Sequence, residues 1–497
     1  MNDLQHISTP SDTITISLQE YENLNFEIDR LKLELDKLRR MIFGAKSERF
    51  IGATPGQLSL FDIPQEAKVE KDEETITYTR KKPEQEKAVG HGRMALPSHL
   101  PRIEHIIEPA DKIEGAKKIG EEITEVLEYK PGKLYVNRYI RPKYVLPENK
   151  GIIIGELPSM PIPKGNAGPG LIAHITVSKF VDHLPFYRQV QQLKREEVQL
   201  SESTLNGWFS AGCNLIEPLF EKHRQIVQGV SYLMADETPI PVLTKDKPGA
   251  THKGYFWAYY APVERFVLFD YQKTRSREGP LRFLKNFSGI LQTDGYEVYK
   301  IFDHKPEITL LACMAHARRK FDEAIKNDKA RAEFMLKLIQ KLYVVERKAK
   351  EQSLSYHERK ALRQIESIPV LNEMEDWMKQ EIIKVLPQSA IGKAIAYTLN
   401  LWPRLKRYVD DGRSEIDNNL IENSIRGIAI GRKNYLFAGS HEGAERAALM
   451  YSLLGTCKMH NVNPFNWLRD VFANLPECKT SMLESYLPQN WKPSFAE

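Results

Sequence analysis

The apolar positions of this chain follow several successive rhythms. Over residues 17–50 the spacing alternates between three and four, through Tyr21, Leu24, Ile28, Leu31, Leu35, Leu38 and Ile42. That is a heptad seam, and it predicts a coiled coil; Ile28 and Ile42 with leucine at the alternating sites suit a parallel dimer. An amphipathic helix packed on its own domain would give the same pattern over so few heptads. The segment closes on a basic run, LRRMIFGAKSERF. From 51 to 104 the periodicity is lost among Gly, Pro and mixed charge, which predicts a linker. Its GHGRMALPSHLPR stretch has the composition of a minor-groove arm, although plain linker explains it as well. Residues 105–165 alternate short β-like runs with Pro and Gly turns and predict a small antiparallel module. Residues 166–228 turn helical. DHLPFYRQVQQLKREEVQLSESTLNGWFSAG reads as helix, short turn, helix, with Ser201 or Ser203 capping the second helix. A helix-turn-helix entering the major groove would present Ser203, Thr204 and Asn206 there, although any two packed helices look similar.

After residue 229 the period drops to two. VSYLMAD, GYFWAYYAP and ERFVLFDYQ predict an antiparallel meander of three strands. A basic helix (TRSREGPLRFLKNF), a strand (GILQTD), a short helix, a strand (ITLLACMA) and a helix (HARRKFDEAI) follow. This is the element order of an RNase H-like core, so the fold class is α/β. The core spans 229–450, with a charged helical insertion over 322–412, and 451–497 forms a helical tail.

Composition narrows the class. At 497 residues the chain holds several domains, since single cores rarely grow past roughly 250–300 residues. A formal charge of +5 favours an anionic partner only mildly, so the placement of charge matters more. Four scattered cysteines, Cys213, Cys313, Cys457 and Cys478, form no paired motif, which suits a reducing cytosol. No apolar run reaches membrane-span length and the polar N-terminus is no signal peptide. A cytoplasmic protein without a membrane partner is expected.

Three acids carry the chemistry. Asp236 ends the first core strand, and Asp294 ends the fourth, its neighbour in this fold. Glu422 lies on a helix that follows an Asp-Asn-Asn start signal. Two strand-end aspartates and a helix glutamate can converge on a pair of divalent metals that activates a water or a DNA hydroxyl. Each acid also has an ordinary reading: an Asx turn to Thr238, a common Asp-Gly turn, and a surface pair of Glu422 with Arg426. Glu415, Asp417 and Glu445 compete for the third place. Asp417 is better placed as the N-cap of the Glu422 helix, whose Ile421 and Ile425 would face the core. Cations gather nearby: Lys273, Arg275, Arg277, Arg282 and Lys285; Arg318, Arg319 and Lys320; and Arg426, Arg432 and Lys433. Such a ring suits a phosphate backbone. His316 could orient a phosphate, but helix capping or core packing explains it more simply. The expectation is a DNA-cutting and DNA-joining enzyme.

ADETPIPVL, LQTDGYEVY, AHARRKF, IDNNLIENSIR and GRKNYLFAGS occur in this order and resemble the large transposase of the insertion-sequence-66 family. LRRMIFGAKSERF, DHLPFYRQ and YSLLGTCKMHNVNPFNWLRDVF extend the resemblance over about residues 20–475. It implies a DDE transposase of bacterial, nucleoid-associated setting, dependent on Mg²⁺ (with Mn²⁺ as a substitute). Asp236, Asp294 and Glu422 would be its catalytic metal ligands. Terminal inverted repeats and target DNA would be its double-stranded partners, within a homo-oligomer. Elements of the family also encode small accessory proteins, which are candidate partners. The chain departs from the pattern in one place. Where similar proteins carry a cysteine-rich zinc module, it reads IIEPADKIEGAKK and RPKYVLPENKG, so the β module is expected to bind no zinc. A catalytically silent, domesticated DNA-binding regulator and a structure-specific nuclease of the same fold are the alternatives.

Overall fold

The computed structural model describes residues 132, 134–137, 143–145, 152–154, 159–163, 165–244 and 249–493. The expected coiled coil, the linker and most of the β module lie outside them. The chain divides into two compact units after Gly155. In the first, β1 (Lys143–Val145) pairs antiparallel with β2 (Ile152–Ile154), Lys143 opposite Ile154.

The second unit opens with three helices: α1 (Pro169–Phe180), α2 (Phe186–Arg195) and α3 (Glu202–Gln228). Ser201 is the residue that caps α3; its Oγ accepts from the Thr204 N–H at 3.1 Å. Leu205, Phe209, Ile216 and Leu219 recur at helical spacing and are fully or almost fully buried, so α3 packs against α1 and α2.

A five-stranded mixed sheet follows. Its strands are β3 (Tyr232–Leu243), β4 (Thr251–Ala261), β5 (Phe266–Gln272), β6 (Gly289–Thr293) and β7 (Ile308–Ala312). The spatial order is β5-β4-β3-β6-β7; the first three are antiparallel, and β6 and β7 run parallel to β3. This is the RNase H-like arrangement predicted from the sequence, with α4 (Glu278–Phe283) between β5 and β6.

Strand β3 runs well beyond the VSYLMAD segment. It pairs with β6 only to Ala235–Thr293 but continues against β4 to Leu243–Thr251. The strand was expected to end at Asp236, before Pro239 and Pro241. Both direct their backbone carbonyls to the edge that β6 has vacated, where Arg432 Nη1 donates to Pro239 O and Ala438 N–H donates to Pro241 O at 2.8 Å. Their missing N–H groups therefore fall on the open edge and not on the β4 ladder, where proline is tolerated.

After β7 come α5 (Met314–Ala324) and the insertion helices α6 (Lys329–Glu351), α7 (Tyr356–Glu381) and α8 (Ala390–Lys406). They build a second core around Phe321, Met335, Leu342, Met374, Ile395 and Trp402. The wholly buried Arg363 is satisfied there by Glu346 and by the carbonyls of Tyr408, Asp411 and Ser414 at 2.7–2.9 Å. Helices α9 (Asn419–Tyr435), α10 (His441–Met459) and α11 (Pro464–Asn474) return to the sheet. On α10, Ser452 Oγ accepts from the Phe269 N–H at 2.8 Å, so α10 covers β5. Among the described residues no helix is long and apolar enough to cross a membrane.

Candidate active site

Register brings the two aspartates together. Ala235 and Thr293 are the last partners of the β3–β6 ladder, so Asp236 and Asp294 occupy the next rung. Parallel strands lie about 4.8 Å apart, and the β3–β6 ladder ends just before this rung. Asp236 Oδ1 accepts from the Glu237 N–H at 2.7 Å, a tighter local bond than the Thr238 turn expected for it. Asp294 Oδ1 accepts from the Tyr296 N–H at 2.8 Å, closing an Asx turn over Gly295, whose φ is +92°. The insertion holds this turn from outside: Tyr397 Oη donates to Asp294 O at 3.1 Å, and the Leu401 side chain lies against Gly295.

Helix α9 packs on β3 and carries Glu422 in its first turn. Ile421 and Ile428 are buried, while Ile425 is only half-buried. The N-cap is Asn418, without a side-chain cap, in place of the expected Asp417. Asp417 sits one residue too early and forms an Asx turn to Asn419 N–H at 3.0 Å, while Tyr343 Oη donates to its other oxygen at 2.8 Å. Glu415 is clamped by Arg359 at 2.9 and 3.0 Å. The Glu422–Arg426 pair that would give Glu422 an ordinary surface role is not formed among the described residues.

Asp236 senses the acids around it. Burial first, and then the charges of Glu237, Asp294 and Glu422, push the Asp236 carboxyl up to about 7, against the lowering effect of the Glu237 N–H. A half-buried group of carboxylates with this charge excess fits a hard divalent cation such as Mg²⁺, which takes oxygen donors. Among the described residues no three Asp, Glu, His or Cys side chains are close enough to form a ready-made ion cage.

The other expected residues lie on α3, α5 and α9. Ser203 and Asn206 are exposed at the start of α3, and the Ser203 and Thr204 hydroxyls join Ser201 Oγ in a capping cluster at 2.7 and 2.8 Å. Arg318 is half-buried on α5; Arg319 and Lys320 are exposed, with Lys320 reaching Glu323 at 3.4 Å. Arg426 and Lys433 are exposed on α9, whereas Arg432 directs a guanidinium N–H at Pro239 O. His316 is half-buried and its Nδ1 has no partner. Sequence reasoning missed Glu237 and Tyr296, and placed Arg275 only among the cations that face phosphate. Arg275 Nε donates to Glu237 Oε1 at 2.9 Å, and its guanidinium stacks 3.9 Å from the Tyr296 ring. The only signal for them was adjacency, Glu237 beside Asp236 and Tyr296 two residues after Asp294.

Residues 164–446 match the family model described as Transposase IS66 family. The chain belongs to that transposase family. Further segments of this transposase match related models: 30–104 "Transposase C of IS166 homeodomain", 114–145 "zinc-finger binding domain of transposase IS66", and 452–488 "IS66 C-terminal element". It is similar to the uncharacterized protein y4jD of Sinorhizobium fredii, at 32% identity over 95% of this chain and 97% of the relative. The uncharacterized proteins y4hP and y4qI of the same organism are each 31% identical, over 94% and 95% of this chain and 89% and 90% of their own lengths.

The zinc-finger match corrects one expectation. The β module was expected to bind no zinc because its stretch lacks cysteine, yet the family's zinc-finger domain is found there and points to zinc binding. Missing thiolates were the ground for that expectation; residues 114–145 contain neither cysteine nor histidine, yet the family model matches there.

Proposed function

We propose that this transposase binds the terminal inverted repeats of its insertion sequence and cleaves and transfers their strands in a divalent-metal-dependent reaction. Asp236, Asp294 and Glu422 would hold the metal. The reading is supported best by one observation: two aspartates directly after the last paired rung of adjacent parallel strands, beside a helix whose glutamate forms no ion pair among the described residues. When bound, Mg²⁺ or Mn²⁺ supplies a Lewis acid that activates a water or a DNA 3′-hydroxyl and stabilises the leaving oxygen. The chain's own residues set up the rest. The Asx turn and Tyr397 fix the Asp294 backbone, and the Glu237 N–H orients Asp236. Arg318, Arg319 and Lys320 on α5, with Arg426, Arg432 and Lys433 on α9, supply positive charge for phosphates. Ser203, Thr204 and Asn206 would read bases from the start of α3. The heptad seam over 17–50 would pair two copies so that two DNA ends are held together, and accessory proteins of the element would join this assembly. Work on DNA places the protein at the bacterial nucleoid.

The test uses a supercoiled plasmid that carries the element ends. With Mg²⁺ or Mn²⁺ the wild-type chain should nick at the ends, and Asp236→Asn and Asp294→Asn should not. A chain that shifts end DNA in a gel but never nicks it with either ion would be the silent regulator instead.

A further inference from the structure

Arg275 was grouped from sequence with the cations that face phosphate, but the structure gives it different work. It is the middle of a bridge between the chain segments that carry the two aspartates. One end is Glu237, which follows Asp236 directly; Arg275 donates to its Oε1 through Nε at 2.9 Å and also through Nη2. The other end is Tyr296, whose backbone N–H closes the Asx turn of Asp294 and whose ring lies 3.9 Å from the guanidinium. A planar, forked cation can hold a carboxylate along its edge and an aromatic ring against its face at once, and an ammonium group cannot.

The Glu237 side chain is 4% exposed, whereas that of Arg275 is 44% exposed. Among the described residues Glu237 Oε2 is buried without a hydrogen-bond partner, as are the polar ends of Trp257 and Tyr259 on the neighbouring β4 and of Tyr299 in the turn of helix after β6. A buried carboxylate oxygen left in this way is costly, and leucine would pack at that position without the penalty. What the acid provides is an anchor for Arg275, at the rung where the β3–β6 ladder ends and no backbone hydrogen bond holds Asp236 and Asp294 at a fixed separation.

We infer that Glu237, Arg275 and Tyr296 form a clamp that sets the separation of Asp236 and Asp294, making Arg275 a positioning residue for the ion-binding centre. This rests on the metal-ligand reading of the two aspartates. It predicts that loosening the clamp weakens ion binding even without DNA, because partners that orient metal ligands are typically worth 10- to 100-fold in affinity.

Mn²⁺ titration calorimetry on the full-length chain, without DNA, tests it. Arg275→Ala should weaken Mn²⁺ binding at least about tenfold, and Tyr296→Leu should act in the same direction, with thermal melting of both close to wild type. Arg275→Lys should fail to rescue, since a simple cation at this position would not restore the geometry. In steady-state nicking assays the loss should appear in the Mn²⁺ dependence and in kcat, with KM for DNA nearly unchanged. If Asp236→Asn abolishes Mn²⁺ binding while Arg275→Ala and Tyr296→Leu bind within twofold of wild type, the clamp is refuted and the ligand assignment survives. If Asp236→Asn leaves Mn²⁺ binding intact, the ligand assignment itself fails and the clamp fails with it.

Discussion

His223 is wholly buried between α3 and β5, its Nε2 2.9 Å from Val267 O. Burial first lowers its imidazole to about 4; the Val267 hydrogen bond opposes this and His460 adds to it. The folded value lies below the unfolded one of about 6.5, so the unfolded chain takes up the proton more readily. Stability is therefore full above pH 6.5 and is lost as pH falls towards 4. By pH 5 the loss should reach about 2 kcal/mol, and urea unfolding of His223→Gln should lack that part of the pH dependence. An unchanged slope in the variant would mean that His223 is not held neutral. At this same scale the sequence was partly readable. Asp236 and Asp294 stood out because apolar runs ended on them. Glu237 and Arg275 did not, because a side chain in a sheet rung and one in a loop 38 residues later meet only once the strands are paired.

Among the elements, strands were the easier part. Period-two runs located all five strands of the main sheet, and the order β5-β4-β3-β6-β7 followed from their succession with the intervening helices. The second half of β3 was hidden because its prolines lie on an edge that exists only after β6 stops. The insertion showed as charged helix, but not its purpose, since Tyr397 reaches Asp294 across 103 residues. Its internal stability centres on Arg363. Arg363→Ala would leave three buried carbonyls and part of Glu346 unpaired, so urea denaturation should show a loss of about 3–5 kcal/mol. A loss below about 1 kcal/mol would mean that water replaces the guanidinium. Helix α5 is proposed to meet phosphates. Arg318→Ala combined with Arg319→Ala should weaken binding to any duplex and flatten its dependence on salt, because phosphate contacts release counterions. Weakening confined to one sequence would assign base reading to these residues.

Across the second unit, helices α1 and α2 are physically joined to α9. Lys179 of α1 places its ammonium 4.0 Å from the Phe186 ring and 5.4 Å from Tyr435 at the end of α9; Arg188 Nη1 of α2 donates to Asn434 Oδ1 at 3.3 Å. Helix α9 thus touches α1 and α2 at one end and carries Glu422 at the other. That arrangement makes Glu422 the acid on which the proposed chemistry depends, and Glu415, already paired with Arg359, the natural control. The most direct measurement is Mn²⁺-dependent cleavage of element-end DNA by Glu422→Gln and Glu415→Gln, alongside a gel-shift assay on the same DNA. Glu422→Gln keeps shape and most hydrogen bonding but removes one negative charge from the centre, and metal-ion sites contribute several kcal/mol to such reactions. Its cleavage should fall by about 100-fold or more while its DNA binding stays at the wild-type level, and Glu415→Gln should cut nearly normally. A Glu422→Gln chain that cuts as fast as wild type would contradict the account.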